Sequence, residues 1–321
     1  MSKPLDLTIT IVSWNTEKLT RDCLNSLLTN NVKRIAEVHV VDNNSQDGSV
    51  EMIRREFPEV KLFINAENLG FAGANNQSWS EAQGRYWLLL NSDTIVKSKA
   101  IENLVAFMDT YPRAGLATAN LRNPDGTTQI CAAREQGILT TLLEFSRLHK
   151  LLSAKKQGEI LLGKYFSHDR PQKLGWAWGT ALIARREAVE QAGALSKEFF
   201  MYGEDLEWSL RVRKYGWEVW FCPEAEIIHF GGQSSDQVWN YTEKNTIILN
   251  NCYQAMEKHR GRFYVKVLQI ITLLVSSVEL LLSKIRHREG MTKYYRSLFN
   301  YHLKKIKGDS TQAIACDHQL F

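Results

Sequence analysis

The sequence predicts an α/β fold with a mostly parallel central sheet flanked by helices. Three observations carry that expectation. Strand-like and helix-like segments alternate in units of roughly 25–30 residues, the rhythm of βαβ crossovers. Polar clusters fall where the strand-like runs end, as ligand-binding residues do in such sheets. At 321 residues, with 44% hydrophobic and 23% charged, the chain can bury a sizeable core.

The elements follow in order. LTITIVS (Leu7–Ser13) alternates and is rich in β-branched residues, so it reads as a strand. TEKLTRDCLNSLLTN carries Leu19, Cys23, Leu24, Leu27 and Leu28 at helical spacing. Val38–Asp42 is a second strand, SVEMIRREF a helix, Val60–Asn65 a third strand. Gly73–Gln83 reads as a helix, YWLLL as a fourth strand and KAIENLVAFMDTY as a helix. Residues 138–172 are mixed and basic, a helical or mobile insertion placed to face an acceptor. LGWAWGTALIAR is strand-like, and RREAVEQAG is a short helix with Gly193 as its C-cap. FFMYGEDLEWSLRVRKYG runs from an aromatic loop into a helix. WEVWFCPEAEIIHF is a long strand region, and VWNYTEKNTIILNNCYQAMEKH is a helix.

From Phe263 to Ile285 the apolar residues are dense, but Lys266, Gln269, Thr272, Ser276, Glu279 and Ser283 recur every three or four positions. Such a stripe predicts an amphipathic helix rather than a transmembrane span. The net charge of +5 is segregated. Between Glu257 and Lys307 twelve Lys/Arg stand against three Glu, or +9, so the remainder sums to −4. A local anionic partner is expected, not nucleic acid. The expected division is an α/β domain over 1–260 and a basic amphipathic segment over 261–321, docking on an anionic membrane surface or packing on the core or in a dimer. The five cysteines are scattered and form no CxxC pair, so free thiols are expected, with neither a disulfide framework nor a zinc site. The start, MSKPLDLTITIVSW, has no long apolar core and no small-residue cleavage site, so no secretory signal is expected.

Several residues suit chemistry. Asp93 ends YWLLLNSD. A carboxylate there can hold a hydrated divalent cation, or Asp93 or Thr94 can cap the helix at 98–110. Asp42, in HVVDNNSQDGS, can accept from a base N3–H or a ribose hydroxyl, whereas turn chemistry accounts for residues 43–48. Glu204 and Asp205 suit a helix N-terminus electrostatically. They also follow the aromatic residues Phe199, Phe200 and Tyr202, a platform for a sugar, and a carboxylate held against a hydroxyl is a general base. His229 precedes Gly231 and Gly232, which let backbone approach a ligand closely, and it reads equally as ligand or structural residue. No GxGxxG follows the first strand, and neither a GxxxxGK[ST] loop nor a GxSxG elbow is present.

Taken in order, TITIVSWN, VHVVDNNSQDGS, NAENLGFAGANNQ, YWLLLNSDT, WAWGTALIARREAVEQAG, FFMYGEDLEWSLRVRKYGW and IIHFGGQSS resemble the family 2 glycosyltransferases of GT-A fold. The combination of DNNSxDGS, NLGFAGANN and LLLNxDT is most similar to the rhamnosyltransferase-like bacterial branch. The resemblance implies a nucleotide-diphospho-sugar transferase fold with C-terminal amphipathic helices. It implies a nucleotide-sugar site with Ser13, Asn15, Asp42, Asn44, Asn68, Gly70, Asn75, Asn91 and Asp93. Asp42 and Ser13 would meet the uracil or thymine. Asp93 with His229 would hold Mg²⁺ or Mn²⁺ at the donor diphosphate. Asp205 would be the catalytic base and Glu204 would position the acceptor, beside Trp176, Trp178, Gly179 and Tyr202. Two positions depart from the family pattern: Asn91 stands where the DXD motif has its first acid, and Asn75 where many members have an arginine.

The function implied is inverting transfer of a sugar, L-rhamnose from dTDP-L-rhamnose in first place, onto a glycan or lipid-linked acceptor in bacterial surface polysaccharide synthesis. The enzyme is expected in the cytoplasm, peripheral on the inner face of the cytoplasmic membrane. UDP-hexose or UDP-N-acetylhexosamine donors stay open, as do a catalytically silent nucleotide-sugar-binding partner and a nucleotidyltransferase.

Overall fold

The structure is a computed structural model describing residues 5–308 apart from 31, 33, 34, 136, 147, 233–236, 238 and 240. Cys316, residues 309–321 of the C-terminal segment and positions 233–235 of the IIHFGGQSS motif therefore lie outside the described residues. The chain forms two compact units, Met1–Glu135 with Leu161–Ser234, and Gln136–Ile160 with Ser235–Phe321.

The first unit is built on a nine-stranded sheet. Its strands are β1 (Leu7–Ser13), β2 (Ala36–Asp42), β3 (Lys61–Ile64), β4 (Tyr86–Asn91), β5 (Thr94–Val96), β6 (Ala114–Arg122), β8 (Gln172–Leu174), β10 (Ala181–Arg185) and β11 (Glu218–His229). A separate pair joins β7 (Ala132–Ala133) to β9 (Trp176–Ala177). The helices are α1 (Glu17–Thr29), α2 (Ser49–Glu56), α3 (Gly70–Trp79), α4 (Ala100–Thr110), α7 (Arg186–Ala192) and α8 (Glu204–Lys214). In the second unit lie α5 (Ile138–Phe145), α9 (Tyr241–Arg260), α10 (Arg262–Ile285) and α11 (Glu289–Lys307), with α6 (Ala154–Leu161) ending at its border.

The strand order is β3-β2-β1-β4-β10-β6-β11-β5, with β8 also paired to β11. β3, β2, β1 and β4 run parallel, as the crossover rhythm requires. β10 enters antiparallel between β4 and β6, and β11 then runs parallel to β6. β4 is a continuous apolar run up to Asn91, and β1 buries Thr8 and Thr10 along with its aliphatic residues, as a strand covered on both faces does.

β6 is a central strand that sequence patterning does not mark. Its AGLATANLR is rich in small residues, yet Leu116, Ala117, Ala119 and Leu121 are wholly buried. β-Propensity reflects packing against neighbours more than an intrinsic preference. β11 carries Pro223, and its register to β6 shifts between Cys222 and Glu226. A residue with no N–H to donate breaks a ladder there. α3 begins at Gly70, three residues before the expected start. The Asn68 Oδ1 accepts the Gly70 N–H at 2.9 Å and opens the helix early.

α8 is driven deep into the unit. Leu206, Glu207, Trp208, Ser209, Leu210 and Val212 are buried, and Trp208 meets Trp87 edge-on at 5.8 Å. The buried Glu207 carboxylate is paired by Arg211 at 2.9 Å, which also donates to the Ala194 carbonyl. This anchoring fixes the start of α8, where Glu204 and Asp205 stand.

Candidate active site

The carboxyl ends of β2, β1 and β4 form one rim, because Ser13 pairs with Asp42 and Val12 with Asn91. Asp42 is fully buried. Its Oδ1 accepts the Ser45 N–H at 2.9 Å, while its Oδ2 has no partner. The turn thus accounts for one oxygen and leaves the other free. Asn15 braces the loop, with its N–H donating to Ser45 Oγ and its Oδ1 accepting the Gln46 N–H at 2.8 Å. Asn44 is exposed and receives the Gln46 side-chain amide. Ser13 points elsewhere: its hydroxyl lies 3.0 Å from Thr20 and 3.4 Å from Thr16 in a buried hydroxyl cluster.

The NAENLGFAGANN segment shapes the next wall. Gly70 has φ +70°, and a Cβ on it would run into the Phe200 carbonyl oxygen. That carbonyl accepts the Phe71 N–H at 2.9 Å, tying the start of α3 to the loop before α8. Asn75 is buried. Its Nδ2 donates to the Phe71 carbonyl at 2.8 Å and its Oδ1 has no partner.

At the end of β4, Asp93 is buried and is not a helix cap. Thr94 starts β5, and α4 begins at Ala100 behind Lys99 with no side-chain cap. The Asp93 Oδ1 lies 3.2 Å from His229 Nε2, and the Asn91 amide nitrogen 3.5 Å from the same Nε2. β5 and β11 produce this meeting, since Thr94 pairs with His229. The His229 Nδ1 in turn lies 2.7 Å from Gln129 Oε1. Gln129 carries no motif, and its partner is 100 residues away, so patterning offers no signal for it.

The third cluster opens α8. The Asp205 Oδ2 accepts the Gly179 N–H at 3.1 Å and its Oδ1 the Leu206 N–H at 2.7 Å. A Cβ on Gly179 would stand 3.1 Å from the Phe71 ring. Asp205 keeps part of its surface exposed, yet enough protein encloses the carboxylate to push its pKa up to about 6, against the pull of these hydrogen bonds. Glu204 is buried, with Oε2 unpartnered. Burial, then the adjacent Asp205 charge, hold its carboxyl well above the usual range. Trp176 and Trp178 stand with ring centroids 6.3 Å apart and both indole N–H groups unpaired; the Trp176 N–H is close to Asp205 without closing a bond. Tyr202 is half-buried in a left-handed conformation, φ +66°. Of the expected aromatic platform, Phe200 is exposed but Phe199 is packed in the core.

The clusters are joined through β10. The Asn91 N–H donates to the Thr180 carbonyl at 2.9 Å, and Gly179, which holds Asp205, is the preceding residue. The rim thus carries an unpartnered carboxylate oxygen at Asp42, a close O···N approach of Asp93 and His229, and a carboxyl pair with raised pKa at α8.

Asp93 and His229 are the residues that could hold a divalent cation: their Oδ1 and Nε2 lie 3.2 Å apart, and among the described residues no group of three or more His, Cys, Asp or Glu is placed to hold one. Ions of this kind take one or two protein ligands and complete their shell from phosphates and water.

A family model described as glycosyl transferase family 2 matches residues 8–192. The N-acetylglucosaminyl-diphospho-decaprenol L-rhamnosyltransferase of Mycobacterium tuberculosis is 27% identical over 219 residues, covering 63% of this chain and 69% of that protein. The crystal structure of GalNAc-T7 with UDP, GalNAc and Mn²⁺ superposes with TM-score 0.57 at 17% identity, over 84% of this chain. The chain spans about half, 51%, of that longer protein. The mannosyltransferase PcManGT from Pyrobaculum calidifontis, with GDP-Man and Mn²⁺, gives 0.52 at 15% identity, covering 94% of this chain and 85% of that one. These two structures share the GT-A type fold with this chain.

Proposed function

Because the chain belongs to glycosyl transferase family 2, we propose that it moves a sugar, with inversion, from a nucleoside diphosphate donor to a glycan or lipid-linked acceptor. The observation that carries this reading is Asp205. It is a carboxylate fixed by two backbone N–H groups, with its pKa raised to about 6, at the mouth of the rim. A base near that value is ionised at neutral pH and basic enough to accept a hydroxyl proton.

The acceptor oxygen loses its proton to Asp205 and forms the new bond to the anomeric carbon. The bond to the diphosphate oxygen breaks on the opposite face. Glu204, its carboxyl held well above the usual range by burial, positions the acceptor, and the Trp176 and Trp178 N–H groups flank it. The free Asp42 oxygen accepts the base N3–H of a uracil or thymine. Asp93 and His229 would hold Mg²⁺ or Mn²⁺, which supplies charge neutralisation for the departing diphosphate. The favoured donor is dTDP-L-rhamnose, its nucleotide carried by the motif resemblance; the name of the mycobacterial relative suggests L-rhamnose and a lipid-linked diphospho-N-acetylglucosamine acceptor.

The basic segment over 261–321, with α10 and α11, tethers the enzyme to the anionic inner leaflet, where a lipid-linked acceptor would reside. The exposed apolar stripe of α10, formed by Phe263, Ile270, Leu274, Val278, Leu281 and Ile285, supports that role.

A thermal-shift screen of dTDP, UDP and their sugars, with and without Mn²⁺, tests the site. A nucleotide at 100 times its dissociation constant should stabilise the protein by about 2.7 kcal/mol. Metal-dependent stabilisation by dTDP or UDP, lost in Asp42→Ala, is expected. No shift with any nucleotide would sink the transferase site and the nucleotide-sugar-binding silent relative alike.

A further inference from the structure

The Asp93–His229 pair raises a question of proton placement. Two lone-pair-bearing atoms 3.2 Å apart attract a cation only while neither carries a proton between them. Neutral histidine has two tautomers, and the partner of its other nitrogen selects one. That partner is the Gln129 side-chain amide, whose oxygen accepts from Nδ1–H in one orientation and whose NH₂ donates to Nδ1 in the other.

The turn beside Gln129 decides the orientation. The Gln129 Nε2 donates to Asn123 Oδ1 at 3.0 Å, and the Asn123 Nδ2 donates to Thr127 Oγ1 at 2.9 Å. The Thr127 hydroxyl donates to Asp125 Oδ1 at 2.6 Å, and the Thr127 N–H donates to the same oxygen at 2.9 Å. An ionised carboxylate only accepts. The Thr127 hydroxyl proton is therefore committed to Asp125, and its oxygen must accept from Asn123. Asn123 then presents its carbonyl oxygen to Gln129, and Gln129 presents its own oxygen to His229. Reversing any amide puts two acceptors or two donors face to face along the chain. The backbone holds the turn in place: the Asn123 N–H donates to the Thr127 carbonyl at 2.8 Å and the Gln129 N–H to Leu121 at 3.0 Å.

We propose that Gln129, its amide oriented through Asn123 and Thr127 by the Asp125 carboxylate, is a positioning residue that holds His229 as the Nδ1–H tautomer. The Nε2 lone pair then stays directed at the divalent cation shared with Asp93. The inference rests on the cation site proposed above. It adds an outer layer drawn from a surface turn more than 100 residues from His229 in sequence. The relay also explains how a site with Asn91 in place of an acid keeps a second ligand in its metal-binding form.

The test uses full-length protein labelled with ¹⁵N-histidine, with the His229 resonances assigned from the His229→Gln spectrum. At pH 8 without metal, long-range ¹H–¹⁵N spectra should show His229 protonated at Nδ1 and bare at Nε2. Gln129→Leu should move it toward the Nε2–H tautomer, facing Asp93. Gln129→Glu, which still accepts from Nδ1–H, should keep the original. Asp125→Asn removes the acceptor-only anchor and should give a mixture. Mn²⁺ affinity, read by electron paramagnetic resonance with dTDP or UDP present, should fall about 10–100-fold in Gln129→Leu and hold within about threefold in Gln129→Glu. An unchanged tautomer in Gln129→Leu would overturn the relay, and so would equal losses in the Leu and Glu variants, the mark of a purely structural prop. If the wild type takes up no Mn²⁺ with either nucleotide while the tautomer follows Gln129, the cation site itself is refuted.

Discussion

Single atoms carry much of the reading of this site. Asp42 spends one carboxylate oxygen on the Ser45 turn and leaves the other buried without a partner. Composition foretells that such a loop is a turn; it says nothing of which oxygen stays free. Asp205 has the sharpest consequence. As a base it works only when ionised, so turnover should rise with pH through about 6 and then level. Asp205→Asn should lower kcat by roughly 10²–10⁴-fold with the nucleotide-induced thermal shift retained. The stability effect has the opposite sense. A carboxyl whose pKa is raised on folding stabilises the native state below its unfolded value, and that contribution is lost as pH rises through the folded one. Asp205→Asn should thus be more stable than wild type above pH 6, by about 1–2 kcal/mol given the group's partial exposure, in paired urea titrations. Equal stability at pH 8 would contradict the buried-base picture. Gly70 gives a second residue-scale prediction. Its positive φ and the Phe200 carbonyl in the path of a Cβ should make Gly70→Ala cost about 2–4 kcal/mol. Gly216 has φ +88° with open space around it, so Gly216→Ala should cost only about 1 kcal/mol by the same assay. Similar costs for both would mean that the α3–Phe200 contact adds nothing.

Among the elements, α10 departs furthest from what its sequence suggests. Its polar stripe was expected to distinguish a membrane-surface helix from a span. In the second unit four of the stripe's six members, Gln269, Thr272, Ser276 and Ser283, are buried, Glu279 is half-buried and Lys266 is exposed, while the apolar Phe263, Ile270, Leu274, Val278, Leu281 and Ile285 are exposed. The buried hydroxyls are satisfied locally. Thr272 donates to the Leu268 carbonyl, Ser276 to Leu273 and Ser283 to Leu280. Small polar residues let helices approach closely, and α11 packs along α10. The apolar face is thereby turned outward. Among the described residues α10 is also the one helix long and apolar enough to cross a membrane, with 28% of its most apolar stretch buried. A Leu side chain moved from water into lipid contributes about 1.5–3 kcal/mol. The double change Leu274→Glu and Leu281→Glu should therefore cut sedimentation with anionic vesicles at least about tenfold, and added salt should weaken wild-type binding through the basic flanks. Unchanged sedimentation of the double variant would remove α10 as the lipid contact. Recovery only by detergent, and not by carbonate, would make it a span rather than a surface helix.

For the whole molecule, the division between sequence and tertiary structure follows from the range of each signal. Periods of two and 3.6 residues are local, so β1, β4, α1, α2 and α4 are legible in order, and with them the polar tips that form the rim. The seven ordered motifs are local too, which is why the family is legible from them. β6 is not, because Ala, Gly and Thr make a strand only where neighbours bury them. Nor is the entry of β10 antiparallel beside β4, which brings Thr180 against Asn91 and Gly179 against Asp205. The pairing of β5 with β11 that sets His229 beside Asp93, and the contact of Gln129 with His229, join residues 100 or more positions apart. The sequence alone determined the element types, their order and which carboxylates stand at strand and helix ends. Only the folded sheet decided which of those groups meet, which oxygen of Asp42 stays free and which face of α10 remains uncovered. Those outcomes come from burying the whole chain at once, a condition that no local repeat encodes.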